Sequence, residues 1–292
     1  MTITLQVLLT IGAAVWGPQA PPSRASAPAV FLVGSFHNNH FQERFHYSMD
    51  DLRAQVLALD PDLVCGEIAP EAYRQPLEGY FPPEAVLLDE VAREGGTRFA
   101  PMDWRMDTAK QIEAEAAEPP AVRERAAAHG AKLMNGIGGF AGASIYDHLH
   151  AEETLSIIDV MYEQIKGENT VSDVAAGSWH ERNRRMAANC LAAAGNARRI
   201  VMVAGIDHVP QLRRQFRARG IEAQVPARRF TPAGQGPVSA AILARWRRNL
   251  DNLRGIVAGR IPVSPDALLK VQRSRRIQDL EEAIRVGSGA PR

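Results

Sequence analysis

Two histidines each stand three residues after a glycine, at the end of an apolar, β-branched run. Val30-Phe31-Leu32-Val33 leads into Gly34-Ser35-Phe36-His37, and Ile200-Val201-Met202-Val203-Ala204 leads into Gly205-Ile206-Asp207-His208. An apolar run closed by glycine reads as a buried strand ending in a sharp turn. A histidine there lies at the strand's carboxyl end, where open α/β sheets hold their ligands. Two carboxylates take matching places. Leu63-Val64-Cys65 runs into Gly66-Glu67, and the short run at 97–101 runs into Met102-Asp103. A carboxylate that closes a buried run is costly unless it is paired or ligating. His37, Glu67, Asp103 and His208 are therefore expected on one rim.

The motif alone carries little. With 23 glycines and 8 histidines in 292 residues, chance readily supplies a copy. A third copy, Gly177-Ser178-Trp179-His180, follows a polar stretch rather than a strand and is set aside.

The chemistry such a rim permits is specific. Imidazole nitrogen and carboxylate oxygen suit a divalent metal, Zn²⁺ or Mn²⁺. Two histidines and one carboxylate leave positions for water and substrate, which makes His37, His208 and Glu67 the candidate ligands. A metal-free version is equally consistent with these residues: a histidine paired with Glu67 serves as general base on water. Arg182, in His180-Glu181-Arg182-Asn183, is placed to clamp a carboxylate or stabilise an oxyanion. A surface salt bridge on a helix is the plainer alternative for it. Glu67, Arg182 and Asp103 form the candidate catalytic set. His40 and His46 read as part of a mobile loop over the site.

The elements that must position these groups follow from periodicity and punctuation. Strands are expected at 30–36, 63–68 and 97–101. A helix at 48–59 is opened by Ser48 with Asp51 as its capping-box partner, and one at 83–94 by Pro83. This β-α-β-α-β order predicts a parallel sheet with right-handed crossovers, the first two strands being neighbours. Residues 105–195 are rich in Ala and Glu and read as several helices, broken near Pro119-Pro120 and in the Gly136–Gly142 cluster. That cluster has no preceding strand and no Lys-Ser/Thr ending, so it reads as a lid or a close helix crossing rather than a phosphate loop. A strand at 199–204, a helix at 209–219 and a short strand at 222–225 complete the core. After a linker at 231–236, helices are expected at 238–257 and 265–284. Arg245, Arg247 and Arg248 read as a solvated helix face. The fold class is thus α/β: a mostly parallel central sheet flanked by helices, with a helical insertion and a C-terminal helical tail. Residues 28–230 form the α/β domain, and 231–292 the extension.

Composition narrows the function classes. A net charge of +1 gives no support for nucleic-acid binding, and the partner expected is a small-molecule or peptide substrate. A homo-oligomer is left open. Two cysteines make neither a disulfide framework nor a zinc site, and Cys65 reads as a small core hydrophobe. The apolar run at 5–16 is too short to span a bilayer and resembles the core of a signal peptide within 1–27, with Ala25-Ser26-Ala27 or Pro18-Gln19-Ala20 as the cleavage site. The mature chain then has no integral membrane segment and is secreted or periplasmic; without export it is cytoplasmic.

Gly34-Ser35-Phe36-His37, Pro61-Asp62-Leu63-Val64-Cys65-Gly66-Glu67, Glu181-Arg182-Asn183, Gly205-Ile206-Asp207-His208 and Val209-Pro210-Gln211-Leu212 together resemble the TraB/Tiki superfamily. This group takes in GumN-like, ChaN-like and erythromycin-esterase-like proteins. The resemblance spans about residues 29–225 and implies His37, Glu67, Arg182 and His208 as site residues. It implies either metal-dependent peptide hydrolysis or ester hydrolysis by histidine and glutamate, and the function expected is an exported metal-dependent hydrolase of a peptide or ester bond. The ChaN-like members imply the alternative of a non-enzymatic protein that binds haem or a small ligand.

Overall fold

The computed structural model describes residues 27–74 and 82–289. The expected signal segment lies outside them but for its last residue. The chain begins with β1 (Ala29–Ser35), α1 (Met49–Leu57), β2 (Leu63–Gly66), a short α2 (Pro70–Arg74), α3 (Glu84–Glu94) and β3 (Arg98–Pro101). The insertion supplies α4 (Thr108–Ala117), α5 (Pro120–Gly138), α6 (Ile145–Leu149), α7 (Glu152–Val160), a π-helical turn (Met161–Lys166), α8 (Val171–Ala175) and α9 (Trp179–Ala194). Then come β4 (Arg199–Gly205), α10 (Val209–Arg217), α11 (Ala240–Val257), α12 (Pro265–Arg273) and α13 (Arg276–Gly287).

The four strands form one parallel sheet in the order β1-β4-β2-β3. The α/β class with a helical insertion is as expected, but β1 and β2 are not neighbours, because β4 lies between them. β4 is a run of seven residues whose last six are buried. A strand apolar on both faces is most stable with a partner on each side, so it takes a central place. From β1 to β3 the chain advances across the sheet, and the return to β4 runs the other way. Right-handed crossovers therefore put α1 and α3 on one face and α9 and α10 on the other. The connections of β1 and β4 diverge, which opens a crevice at the carboxyl ends of the strands.

Local chemistry explains the element ends. Ser48 and Asp51 form the expected capping box: Asp51 N donates to Ser48 Oγ at 3.1 Å and Ser48 N to Asp51 Oδ2 at 2.8 Å. The expected strand at 222–225 is a single bridge of Gln224 to Phe31, because only one residue there reaches the sheet edge. The expected helix at 265–284 is two helices. Ser274 turns extended between α12 and α13, and its Oγ accepts from Arg276 N at 3.3 Å.

The extension is packed on the core rather than detached from it. Trp246 of α11 is fully buried, and its indole N–H donates to Pro83 O at 3.0 Å. Arg245 departs from the solvated face expected for it. It is buried and paired with Asp89 of α3 at 2.6 Å, while Arg247 and Arg248 are exposed. Among the described residues no helix is long and apolar enough to cross a membrane.

The cysteine expectation needs correction. Cys65 of β2 and Cys190 of α9 are both fully buried, but they form a disulfide across a sequence separation of 125 residues. Two lone cysteines so far apart give no pairing signal, and only the docking of α9 on the sheet brings them together. Closing so long a loop restricts the unfolded chain strongly. The double variant Cys65→Ser/Cys190→Ser is expected to lose about 2–5 kcal/mol of stability by denaturant titration. Addition of a reductant should lower the wild type toward the same value and leave the variant unchanged.

Candidate functional site

Three of the strand ends deliver side chains to a cavity of about 390 Å³ at the sheet's carboxyl edge. His37 follows β1, Glu67 follows β2 and His208 follows β4, while Arg182 reaches in from α9. His37 Nε2 lies 3.8 Å from Glu67 Oε2, and His208 Nε2 lies 3.9 Å from Glu67 Oε1. Glu67 thus sits between the two imidazoles. Gly205 makes room for this, while Gly34 makes room for Ile206 and His150. A Cβ on Gly205 would come within 2.5 Å of His37 Nε2, and one on Gly34 within 3.0 Å of His150 Nε2. His37 itself has a φ of +46°, in the left-handed region where a side chain is strained and which clusters at functional sites.

Glu67 is 4 % exposed and carries its charge because cations surround it. Arg182 Nη2 donates to Glu67 Oε1 at 2.6 Å, Arg105 Nη2 donates to the same oxygen at 3.2 Å, and Gly205 N donates to Oε2 at 2.8 Å. Burial by itself would raise Glu67. Arg182 foremost, with His37 and Arg105, holds it well below the usual carboxylate range. Asp103 is the other half of this network. Arg182 Nε donates to its Oδ1 at 2.8 Å and Nη2 to its Oδ2 at 3.1 Å, while Arg105 Nε meets Oδ2 at 2.8 Å. Asp103 is almost fully buried and does not line the cavity, so its part is to hold the two arginines.

The histidines divide by what their nitrogens do. His37 Nδ1 is 2.6 Å from Glu84 Oε1, a residue at the start of α3 that also accepts from Ser35 Oγ. Burial lowers His37, but Glu84 and then Glu67 outweigh it, and the imidazole titrates above its ordinary 6.5. His208 donates from Nδ1 to Asn183 Oδ1 at 2.8 Å and stacks on Trp179 at 4.2 Å, which stacks in turn on Tyr162 at 4.0 Å. Burial, then Arg182, pulls it down to about 3, so it stays neutral. His40 is not in a mobile loop. It is buried, accepts the N–H of Phe36 at Nε2 and donates to Tyr47 O from Nδ1. His150 does the same for Gly34 N, and burial lowers it to about 4. His46 is exposed and does not line the cavity.

Glu84, Arg105 and Trp179 belong to this site and were not legible as site residues. A glutamate after Pro83 looks like any acid that favours a helix N-terminus, and Trp179 belongs to the discarded third motif. Asn183 stands beside Arg182 in the sequence, and that adjacency is the one available signal. The Gly136–Gly142 cluster is a close helix crossing. α5 continues to Gly138, a Cβ on Gly136 would come within 2.9 Å of His148 Nε2, and Leu133, Met134 and Ile137 of the same helix wall the cavity.

Comparison of the chain with family models, with curated proteins and with solved structures returns no match. The site therefore stands on its own geometry.

Arg182→Met strands Glu67 and Asp103 with less positive charge in a buried place, and is expected to cost about 3–5 kcal/mol in denaturant unfolding. The histidines set a pH optimum for stability. His150 and His208 stay unprotonated in the folded protein down to about 4 and about 3, whereas the unfolded chain binds those protons near 6.5, so stability falls as pH drops below 6.5. His37 and His180 titrate above 6.5 when folded, so their contribution is complete below 6.5 and is lost as pH rises through their folded values. Unfolding free energy measured across pH should peak near 6.5; a flat profile between pH 5 and 8 contradicts these assignments.

Proposed function

We propose that the chain is an exported hydrolase that cleaves a peptide or ester bond with water activated at His37. The observation that carries this reading is the His37–Glu84 pair at 2.6 Å, with the second imidazole nitrogen of His37 at the cavity, 3.8 Å from Glu67. A carboxylate on Nδ1 fixes the tautomer that leaves Nε2 as the base and stabilises the imidazolium once it forms. Nε2 takes the proton from an attacking water and returns it to the leaving oxygen or nitrogen. The guanidinium of Arg182 supplies fixed positive charge beside the carbonyl oxygen as it becomes negative. Neutral His208, held by Asn183 and Trp179, lines the same cavity without adding charge. The buried disulfide fits an oxidising compartment, which supports export.

A second reading differs only by a metal. His37 and His208 each engage Nδ1 with an acceptor and leave Nε2 toward Glu67, the orientation that outer partners impose on metal-ligating histidines. His37, His208 and Glu67 would hold a divalent ion, which would lower the pKa of a bound water. Glu67 would then share its carboxylate with Arg182 and Arg105, and among the described residues no group of three His, Cys, Asp or Glu is drawn together as a metal site.

Turnover of a panel of peptides and activated esters tests both readings. His37→Gln, which keeps a donor for Glu84, is expected to lower kcat by about 10²–10⁴-fold with little change in Tm. The acid limb of kcat/KM should lie above pH 6.5, because the base must be unprotonated and Glu84 and Glu67 raise it. Activity insensitive to a chelator favours the base mechanism. Activity lost to a chelator and restored by Zn²⁺ or Mn²⁺ favours the metal. No turnover under either condition overturns the hydrolase reading.

A further inference from the structure

A second cavity, of about 260 Å³, adjoins the first. Arg105 and Arg182 line both. Its other charged lining comes from Lys270 and Arg273 of α12 and from Glu115 of α4. Four lining side chains are therefore cationic and one is acidic. The acids that balance the rest, Glu67, Asp103 and Asp266, do not line this cavity. They hold the cations in place from elsewhere: Arg182 and Arg105 through Asp103 and Glu67, and Lys270 through Asp266 at 3.4 Å. Arg273 is fixed by Glu115 at 2.5 Å. The cations are thus pre-positioned, so a bound anion need not order them at its own cost.

The geometry points to an oxyanion subsite in this second cavity, formed by Lys270, Arg273, Arg105 and Arg182, for a carboxylate or phosphate group of the substrate. It rests on the hydrolase reading for the statement that the group belongs to a substrate; the anion site itself does not. Guanidinium forks and a lysine ammonium are the groups that match oxyanions by charge-assisted hydrogen bonds. Arg105 and Arg182 line both cavities, so an anion held by them in the second lies beside the cavity that holds His37 and His208. A substrate whose cleaved bond sits in the first cavity would then place an acidic group in the second. This gives the C-terminal extension a function: α12 supplies half of the subsite. Anionic substrates are favoured, and neutral analogues that lack the acidic group bind more weakly.

Calorimetric titration of the full chain with inorganic phosphate, and separately with acetate, tests the subsite without any turnover. Saturable binding that weakens with added salt is expected for at least one of the two, and the tighter one identifies the group. Lys270→Gln/Arg273→Gln should weaken it by about tenfold or more, with the far-UV circular dichroism and Tm of the wild type. Lys270→Arg should retain it, and His37→Gln should leave it unchanged. No saturable binding of either anion, or equal affinity in the double variant, overturns the subsite. Anion binding that behaves as expected in a protein that hydrolyses nothing keeps the subsite and removes only the hydrolase reading.

Discussion

Arg182, Glu67 and Asp103 form a buried charge network on which the whole carboxyl edge of the sheet depends. Each group is under a tenth exposed, and none could keep its charge there alone. Taking an unpaired carboxylate or guanidinium out of water costs several kcal/mol, and only close, well-directed partners offset it. The partners come from three places: the ends of β2 and β3, and the first turn of α9. The network therefore forces α9 to dock at one height and rotation against the sheet. The Cys65–Cys190 bond, made from the same strand and the same helix, holds that docking covalently. Asn183 and Trp179 ride on the same helix, so the setting of His208 is fixed by the placement of Arg182.

The buried histidines show how one residue type serves opposite ends. His40 and His150 turn a ring nitrogen to the backbone N–H groups at the end of β1, which the sheet leaves without partners. Burial keeps both largely neutral, and their work is structural. His37 and His208 instead give Nδ1 to Glu84 and Asn183 and leave Nε2 toward Glu67 and the cavity. The difference lies in what Nδ1 meets, and that depends on a neighbour supplied from elsewhere in the fold. For His37 the neighbour is Glu84 on α3, whose position depends on Trp246 of α11 through the carbonyl of Pro83. The C-terminal extension thus borders the site through α11 behind Glu84, through Arg276 of α13 in the first cavity and through α12 in the second.

Much of the framework was legible without coordinates. The runs at 30–36, 63–68 and 199–204 have few alternatives to buried strands, the short strand at 97–101 follows from its place after a helix and a Gly-Gly turn, and Ser48 with Asp51 marked a helix start that forms as expected. His37, Glu67 and His208 were legible because a polar group closing an apolar run stands out against its surroundings. Signals from residues that depend on distant partners were not available. Cys65 has the look of a core side chain until Cys190 is beside it. Glu84 looks like an acid at a helix start, and Arg245 like one of three solvated arginines.

The sequence by itself determined the strands, the class of sheet and the three groups that close those strands, because periodicity and punctuation are local properties of the chain. Tertiary structure alone decided the strand order, the disulfide, the network around Arg182 and the neighbours that give each histidine its tautomer. The physical reason is common to all four. All four depend on contacts between segments that are separate in the chain, from 25 residues for Asn183 and His208 to 125 for Cys65 and Cys190, and such contacts exist only once the segments are brought together.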